Sequence, residues 1–401
     1  MEYSVGKIFK GDRVIWIILM LLSLLSLLIV YSSTAALAYR VASGNTFSFL
    51  IRQVFFLGGG FAIILGMVHV LPVKIYSIAA SLLLYLSIGL LGLTLVMKLG
   101  GMTNGSGRTL DLGFITFQPA ELAKISLILY TAKILGKKQK TKNDLRLAFK
   151  RIILFTVVVC GMIFISDFST SALLFATIMT MMFIGRIPLK YLLMVVGTGV
   201  ILVVAIYLVA DQLPSGPARL QTIKGRIDRF VNGDPNSEQG ITQADYAKLA
   251  IYSGGILGKG PGHSDVSNYM AAAYNDFIFA IIVEEYGLIF GIGVMFLYLI
   301  FFFRGVVIVR RATRTFPAFM VIGLILILVY QAMINIGVSS GVLPVTGQPL
   351  PWVSLGGTSL LFTSMAFGCI LSVSYQTQVD KNSEEKPVQV TTPDEDYEME
   401  K

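Results

Sequence analysis

Three stretches of this 401-residue chain carry residue types that could do chemistry. The sharpest is Tyr274-Asn275-Asp276-Phe277-Ile278-Phe279-Ala280, running into Glu284-Glu285. Asp276 stands where a polar segment gives way to an apolar one. A carboxylate in that position is partly desolvated, which favours its use as a general base. The plainer role for Asp there is a helix N-cap. Glu284 and Glu285, two turns deeper, each need a cation or a hydrogen-bond donor, and a structural role suits at least one of them. The second stretch is Ser253-Gly254-Gly255-Ile256-Leu257-Gly258-Lys259-Gly260-Pro261-Gly262. Backbone amides around Gly255 can approach an anion closely and Lys259 adds a charge, although the same composition describes any flexible loop. The third runs from Gly100 to Arg108, then through Gln118-Pro119-Ala120-Glu121-Leu122-Ala123-Lys124. Glu121 and Lys124 share a helix face and can pair. An ion pair inside an apolar span is costly and turns to the bundle interior or a wet cavity, where it fixes packing or meets substrate.

The elements that must hold these residues are membrane helices. Hydrophobic residues make up 55% of the chain and charged residues 14%, against roughly 25% charged in a soluble domain. Apolar runs repeatedly reach the roughly 20 residues that cross a hydrocarbon core. A soluble enzyme is excluded, and the expected fold is an all-α polytopic membrane protein. Ten spans are predicted: 13–33, 49–71, 75–97, 117–136, 152–166, 169–186, 191–209, 277–303, 317–338 and 357–377. The fifth and sixth are separated only by Ser166-Asp167-Phe168 and read as two tilted helices with a tight turn. Basic clusters before the first span and in the loops after the fourth, sixth and eighth all fall on one side, which Lys/Arg bias marks as cytoplasmic. Both termini are then inside, and the large loop of about 210–276 is extracytoplasmic. Within it Arg219, Lys224, Arg226 and Arg229 alternate with apolar residues at helical spacing, as in an interfacial helix. The domain division is a membrane domain over 1–379 and a tail over 380–401. The tail holds eight of the 23 acids, Pro387 and Pro393, and lacks periodicity, so it reads as disordered. The formal charge of +9 reflects topology, not nucleic-acid binding. Cys160 and Cys369 lie in apolar spans and imply no disulfide, and His69 and His263 make no zinc site. The first span is too long for a cleaved signal and reads as retained. No internal repeat supports a transporter.

All three stretches fall on the outer side of this arrangement. Cations and glycine amides around one lone carboxylate suit an anionic, lipid-linked substrate whose pyrophosphate leaves while a sugar hydroxyl attacks. No nucleotide-binding motif is present, so a lipid-linked donor fits better than a nucleotide sugar.

Taken in order, the motifs resemble the SEDS family of shape, elongation, division and sporulation proteins. They are Asn104-Gly105 with Arg108; Gln118-Pro119-x-Glu121-Leu-Ala-Lys124; Asp167-Phe-Ser-Thr170; Ser253-Gly254-Gly255-x-x-Gly258-x-Gly260; and Asn275-Asp276-Phe-Ile-Phe-Ala280 with Glu284-Glu285-x-Gly287. Asn335-Ile-Gly337, Leu343-Pro344-x-Thr346-Gly347-x-Pro349-Leu-Pro351 and Ser354-x-Gly356-Gly357-Thr358-Ser359 complete the set. The resemblance implies a peptidoglycan glycosyltransferase that polymerises lipid II at the outer face of the cytoplasmic (inner) membrane, with Asp276 catalytic. Substrate-binding candidates are Arg108, Glu121, Lys124, Gly255, Lys259, Glu284, Glu285 and Ser354. No metal ligand and no cofactor is assigned, and a divalent cation (Mg or Mn) is compatible. The acidic tail, the basic loop after the fourth span, and Tyr274 and Tyr286 are similar to the FtsW branch of Bacteroidetes type. That implies septal wall synthesis in cell division, beside a class B penicillin-binding protein transpeptidase and other division-complex or elongation-complex membrane proteins. The alternatives are a RodA-type elongation polymerase, a lipid II flippase, or a non-catalytic division scaffold. Two departures from the family pattern stand out: Thr109 follows Arg108 where Trp is usual, and Met270-Ala271-Ala272-Ala273 replaces a Leu-Pro-Glu-like approach to Asp276.

Overall fold

A computed structural model describes residues 8–34, 46–100, 108–111, 116–137, 141–209, 225, 228, 242–270 and 273–384. Among them lie eleven α-helices. They are α1 (Arg13–Ser33), α2 (Thr46–Val70), α3 (Val73–Leu99), α4 (Pro119–Lys137), α5 (Lys142–Phe164), α6 (Phe168–Ile184), α7 (Leu189–Val209), α8 (Gln243–Gly254), α9 (Ile278–Arg311), α10 (Thr315–Ser339) and α11 (Thr358–Glu384). A two-residue antiparallel pair, β1 (Leu110–Asp111) with β2 (Thr116–Phe117), leads into α4.

Every predicted apolar segment coincides with a helix, and α8 is an addition: a polar twelve-residue helix in the long loop. Among the described residues seven helices are long and apolar enough to cross a membrane. The other three members of the predicted ten fall short for identifiable reasons. α4 carries Glu121, Lys124, Lys133 and Lys137, while α6 and the apolar part of α7 are short. Several boundaries follow from caps. Asp12 accepts the amides of Val14 and Ile15 to open α1, and Thr141 starts α5 ten residues before the predicted 152. Asp167 accepts the Thr170 amide at 3.1 Å, making the tight α5–α6 turn. α11 continues to Glu384, five residues into the segment assigned to the tail. Asn104, Gly105, Ala271, Ala272, the tail beyond 384, and the interfacial stretch 219–231 apart from Gly225 and Asp228 lie outside the described residues.

α10 is the centre of the bundle, packed by α4, α6, α9 and α11. α2, α3 and α7 are peripheral and expose large apolar side chains such as Phe55, Leu82 and Ile201, as lipid-facing helices do. Helices in lipid gain little from hydrophobic burial, so association rests on close packing and interhelical hydrogen bonds of about 0.6 kcal/mol each. Ser87–Ser126 joins α3 to α4 at 2.9 Å, Tyr76–Ser372 joins α3 to α11 at 3.1 Å, and Gln53–Ser26 joins α2 to α1 at 2.7 Å.

Candidate active site

Asp276 lies one residue ahead of the α9 N-cap, a position taken by Phe277, whose side chain cannot cap. The backbone on either side of the carboxylate is pinned from two directions. Asn335, buried on α10, donates through Nδ2 to the carbonyls of Asp276 at 3.0 Å and Gln348 at 2.8 Å. The Ser354 hydroxyl donates to the Asn275 carbonyl at 2.9 Å and accepts the Leu350 amide at 2.8 Å. The Leu355 amide bonds the Tyr274 carbonyl at 3.1 Å. Asp276 itself is half-buried, and the Asn275 amide group donates to its Oδ1 at 3.0 Å. Gly347 passes beside it in the left-handed region (φ +72°), where a Cβ would stand 3.5 Å from Asp276 Oδ2. The carboxylate therefore sits at a bend where Gly347 presents backbone beside it and no side chain of its own.

A continuous polar chain leads outward from that bend. Gln348 Nε2 donates to Thr170 Oγ1 at 2.9 Å, the Thr170 backbone amide donates to the capping Asp167 carboxylate, and Asp167 pairs with Arg108 at 3.3 Å. Arg108 also donates to the Ser166 carbonyl. Glu121 and Lys124 form a largely buried pair at 2.8 Å. Glu121 and Ser354 line one cavity of about 20 Å³ with Gln331, Pro349, Ser359 and Thr363, enough for a single water.

Lys259, Glu284, Glu285 and Gly255 form a second assembly. α9 is broken at Gly287 (φ 85°, ψ 169°), which frees backbone groups in the apolar part of the helix. The glycine-rich run satisfies them: the Lys259 and Gly260 amides bond the Glu284 and Glu285 carbonyls at 2.9 Å each, and Leu288 donates to the Gly255 carbonyl at 3.0 Å. The backbones touch, because a Cβ on Gly258 would meet Glu285 O at 2.3 Å and one on Gly287 would meet Ile256 O at 2.3 Å. Two amides that could cradle an anion are thus engaged with the helix break. Glu284 is fully buried and accepts from Lys259 Nζ at 2.8 Å, the Asp265 amide at 3.1 Å, and the Ser264 hydroxyl. Lys259 also meets Asp265 at 2.9 Å. Burial alone would lower the Lys259 pKa, but hydrogen bonds and charge from Glu284 and Asp265 outweigh it and raise the value above 10.5. Glu285 accepts from Ser32 of α1 through one oxygen, and its other oxygen is buried and finds no side-chain hydrogen-bond donor among the described residues.

The fold thus brings Asp276, Ser354 and Glu121 into one neighbourhood and links Arg108 to it through a chain of side-chain and backbone hydrogen bonds, whereas Lys259, Glu284 and Glu285 serve the α9 break. Asn335 and Gln348 are missing from the predicted set. For Asn335 the signal was an amide side chain inside an apolar span, which demands a partner, whereas Gln348 lies midway between two spans and carried no such signal. Among the described residues no group of three or more His, Cys, Asp or Glu could hold a metal ion.

The family model described as cell cycle protein, covering FtsW, RodA and SpoVE, matches residues 12–379. The chain belongs to that family. It is 32% identical over 373 residues to a probable peptidoglycan glycosyltransferase FtsW of Coxiella burnetii, covering 90% of this chain and 96% of the relative. Stage V sporulation protein E of Bacillus subtilis is 31% identical, with coverage of 90% and 96%. Peptidoglycan glycosyltransferase MrdB of Escherichia coli is 33% identical, with coverage of 88% and 92%. The fold matches a chain of a peptidoglycan synthase complex at TM-score 0.70 and 24% identity, covering 91% of this chain and 97% of that one. It also matches the rod shape determining protein RodA of Thermus thermophilus at TM-score 0.63 and 24% identity, covering 91% and 96%. The described bundle is the FtsW/RodA/SpoVE architecture, and the pinned Asp276 bend is a feature of this family member.

Proposed function

We propose that this chain is a peptidoglycan glycosyltransferase that polymerises lipid II, with Asp276 as its general base. In this reading the 4-hydroxyl oxygen of one lipid II attacks the anomeric carbon of another. The bond from that carbon to the lipid pyrophosphate breaks, and the hydroxyl proton passes to the Asp276 carboxylate. The observation that carries the reading is the clamped backbone around a half-buried carboxylate that stands outside the cap position. A base so placed contributes roughly 10²–10⁴-fold to proton transfer. The outer neighbourhood of Arg108, Glu121, Lys124 and Ser354 would meet the substrate, with a divalent cation compatible with the pyrophosphate. The family match and the glycosyltransferase names of relatives at about one-third identity support the activity.

The topology belongs to the same proposal: ten spans, both termini in the cytoplasm, and Asp276 at the periplasmic face of the inner membrane. A reporter fused near residue 240 should read as extracytoplasmic and one near 143 as cytoplasmic; both on one side would overturn it. The partner is a class B penicillin-binding protein, as the likeness to a synthase-complex chain suggests. Identities to FtsW and MrdB relatives are nearly equal, so the septal role rests on the acidic tail and the basic α4–α5 loop.

The test is Asp276→Asn, which keeps size and retains capping ability. The purified variant should fold, associate with its transpeptidase and make no glycan from lipid II. Near-normal polymer would remove Asp276 from the mechanism.

A further inference from the structure

Between α10 and α11 the stretch 349–356 is irregular backbone, most of it buried inside the bundle. Trp352 sits there in the left-handed region (φ 70°), which a bulky residue adopts only when its surroundings over-determine it. Here five helices do so. The indole Nε1 donates to the Ser23 hydroxyl of α1 at 2.7 Å, and the ring packs edge-on against Phe61 of α2 and Phe367 of α11. Tyr298 of α9 donates to the Pro351 carbonyl at 2.5 Å, and Gln331 of α10 donates to the Pro349 carbonyl at 3.1 Å. Ser354, whose hydroxyl holds the Asn275 carbonyl, is bracketed separately. Ser26 of α1 donates to the Val353 carbonyl at 2.8 Å. Gln53 of α2 donates to that Ser26 hydroxyl at 2.7 Å and accepts the Gly356 amide at 3.1 Å.

Gln53 has no exposed surface, and among the described residues it is the one polar side chain that α2 buries, between exposed Arg52 and Val54. A polar group there is costly in an apolar helix and must find partners. A bond to Ser26 alone would satisfy the packing of α2 on α1. The bond to the Gly356 amide does something else: together with the Ser26 relay, it fixes the chain on both sides of Ser354. We propose that Gln53 is a positioning residue for the Asp276 carboxylate, acting through the Ser354 hydroxyl and the Asn275 carbonyl. The inference deepens the transferase reading and rests on it for the step served, the proton transfer to Asp276. Without Gln53, the Gly356 amide loses its partner and the strained Trp352 turn gains room to relax. Ser354 and the Asn275 carbonyl that it holds then move together.

Gln53→Leu keeps the approximate size and suits an apolar helix. In lipid II polymerisation by the purified full-length protein, its kcat per folded molecule should fall about tenfold, the worth of one hydrogen bond of positioning. Ser354→Ala should be slow as well, and the double variant should be no slower than Ser354→Ala, because both act on one contact. A packing role would instead multiply the two losses. Hydrogen–deuterium exchange supplies a readout independent of catalysis: Gln53→Leu should speed exchange over 350–356 and 274–277 and leave α5 unchanged. Ser26→Ala, which leaves the Gln53–Gly356 bond in place, is the milder variant and should show the same pattern with a loss of about threefold. Multiplying rate losses, or unaltered exchange over 274–277, would overturn the proposal. A wild type that makes no glycan, in a protein whose variants still show the exchange response, counts against the transferase reading and leaves the clamp standing.

Discussion

The Lys259–Glu284 pair makes an asymmetric prediction that separates a structural cation from a substrate-binding one. Glu284 has no exposed surface, whereas the Lys259 side chain is about a quarter exposed and keeps a second partner in Asp265 at 2.9 Å. Lys259→Met would leave a buried carboxylate with only neutral donors, namely the Ser264 and Ser253 hydroxyls and the Asp265 amide. Removing one member of a buried pair costs about 3–5 kcal/mol, and those remaining donors place this case at about 3. Glu284→Gln would leave Lys259 with Asp265 and water, so its cost is that of imperfect hydrogen bonds around one amide, about 1–2 kcal/mol. The lysine substitution should therefore destabilise more than the glutamate substitution by at least about 1 kcal/mol. The combined variant should be less damaging than the sum, with a coupling of about 0.5–3 kcal/mol as contacting residues show. Equilibrium unfolding in mixed micelles measures all three. The raised Lys259 pKa keeps the ammonium charged below pH 10.5, so its stabilising contribution is fully present there and is lost only as pH climbs through the higher folded value. If Glu284→Gln proves the more destabilising, or the two effects simply add, the pair does not hold the α9 break. Lys259 would then return to the substrate side of the site.

Two further predictions follow from backbone geometry. Gly258→Ala drives a Cβ to 2.3 Å from a carbonyl oxygen of the α9 break and should cost more than about 4 kcal/mol, seen as loss of folded monomer on size exclusion. Gly255→Ala meets no atom within 4 Å and should cost only the strain of its glycine-favouring backbone (φ 57°, ψ −148°), about 1–3 kcal/mol, so equal damage at both positions would refute the close-contact account. Asn335→Ala removes the donor shared by the Asp276 and Gln348 carbonyls. The glycan rate at saturating lipid II should fall about 5–150-fold if roughly 1–3 kcal/mol of positioning is lost. A rate unchanged in a folded Asn335→Ala protein would show that the bend does not orient the carboxylate.

How much of this was legible in the sequence depends on the range of the interaction. The helices were legible because lipid demands long apolar runs, and even α4, with its four charges, reads as a span once Glu121 and Lys124 are seen to share a face. The start of α5 was misplaced because a Thr cap ahead of a charged first turn overrides the hydropathy boundary. α8 was invisible to hydropathy, since a short polar helix has no apolar run to announce it. Asp276 was legible as a carboxylate at a polarity boundary, but the capping alternative could be weighed only once the N-cap was located at Phe277.

The partners of the cations were beyond reach for a physical reason. Lys259 finds Glu284 only because α9 breaks at Gly287 and the glycine run lies against the break, and in sequence that break is one glycine in an apolar stretch. Gln348 meets Thr170 across a gap that the packing of α10 against α6 closes, and Arg108 meets Asp167 from the segment between α3 and β1. Residue type and spacing suggest which side chains could touch an anion; burial decides which are already occupied. A carboxylate with no exposed surface must be neutralised for the bundle to form, so it claims the nearest lysine before any substrate arrives. Under the proposed transferase reading, Arg108, about a third exposed and paired with Asp167 at the α5–α6 turn, is the cation that would exchange its partner for a pyrophosphate, ahead of Lys259.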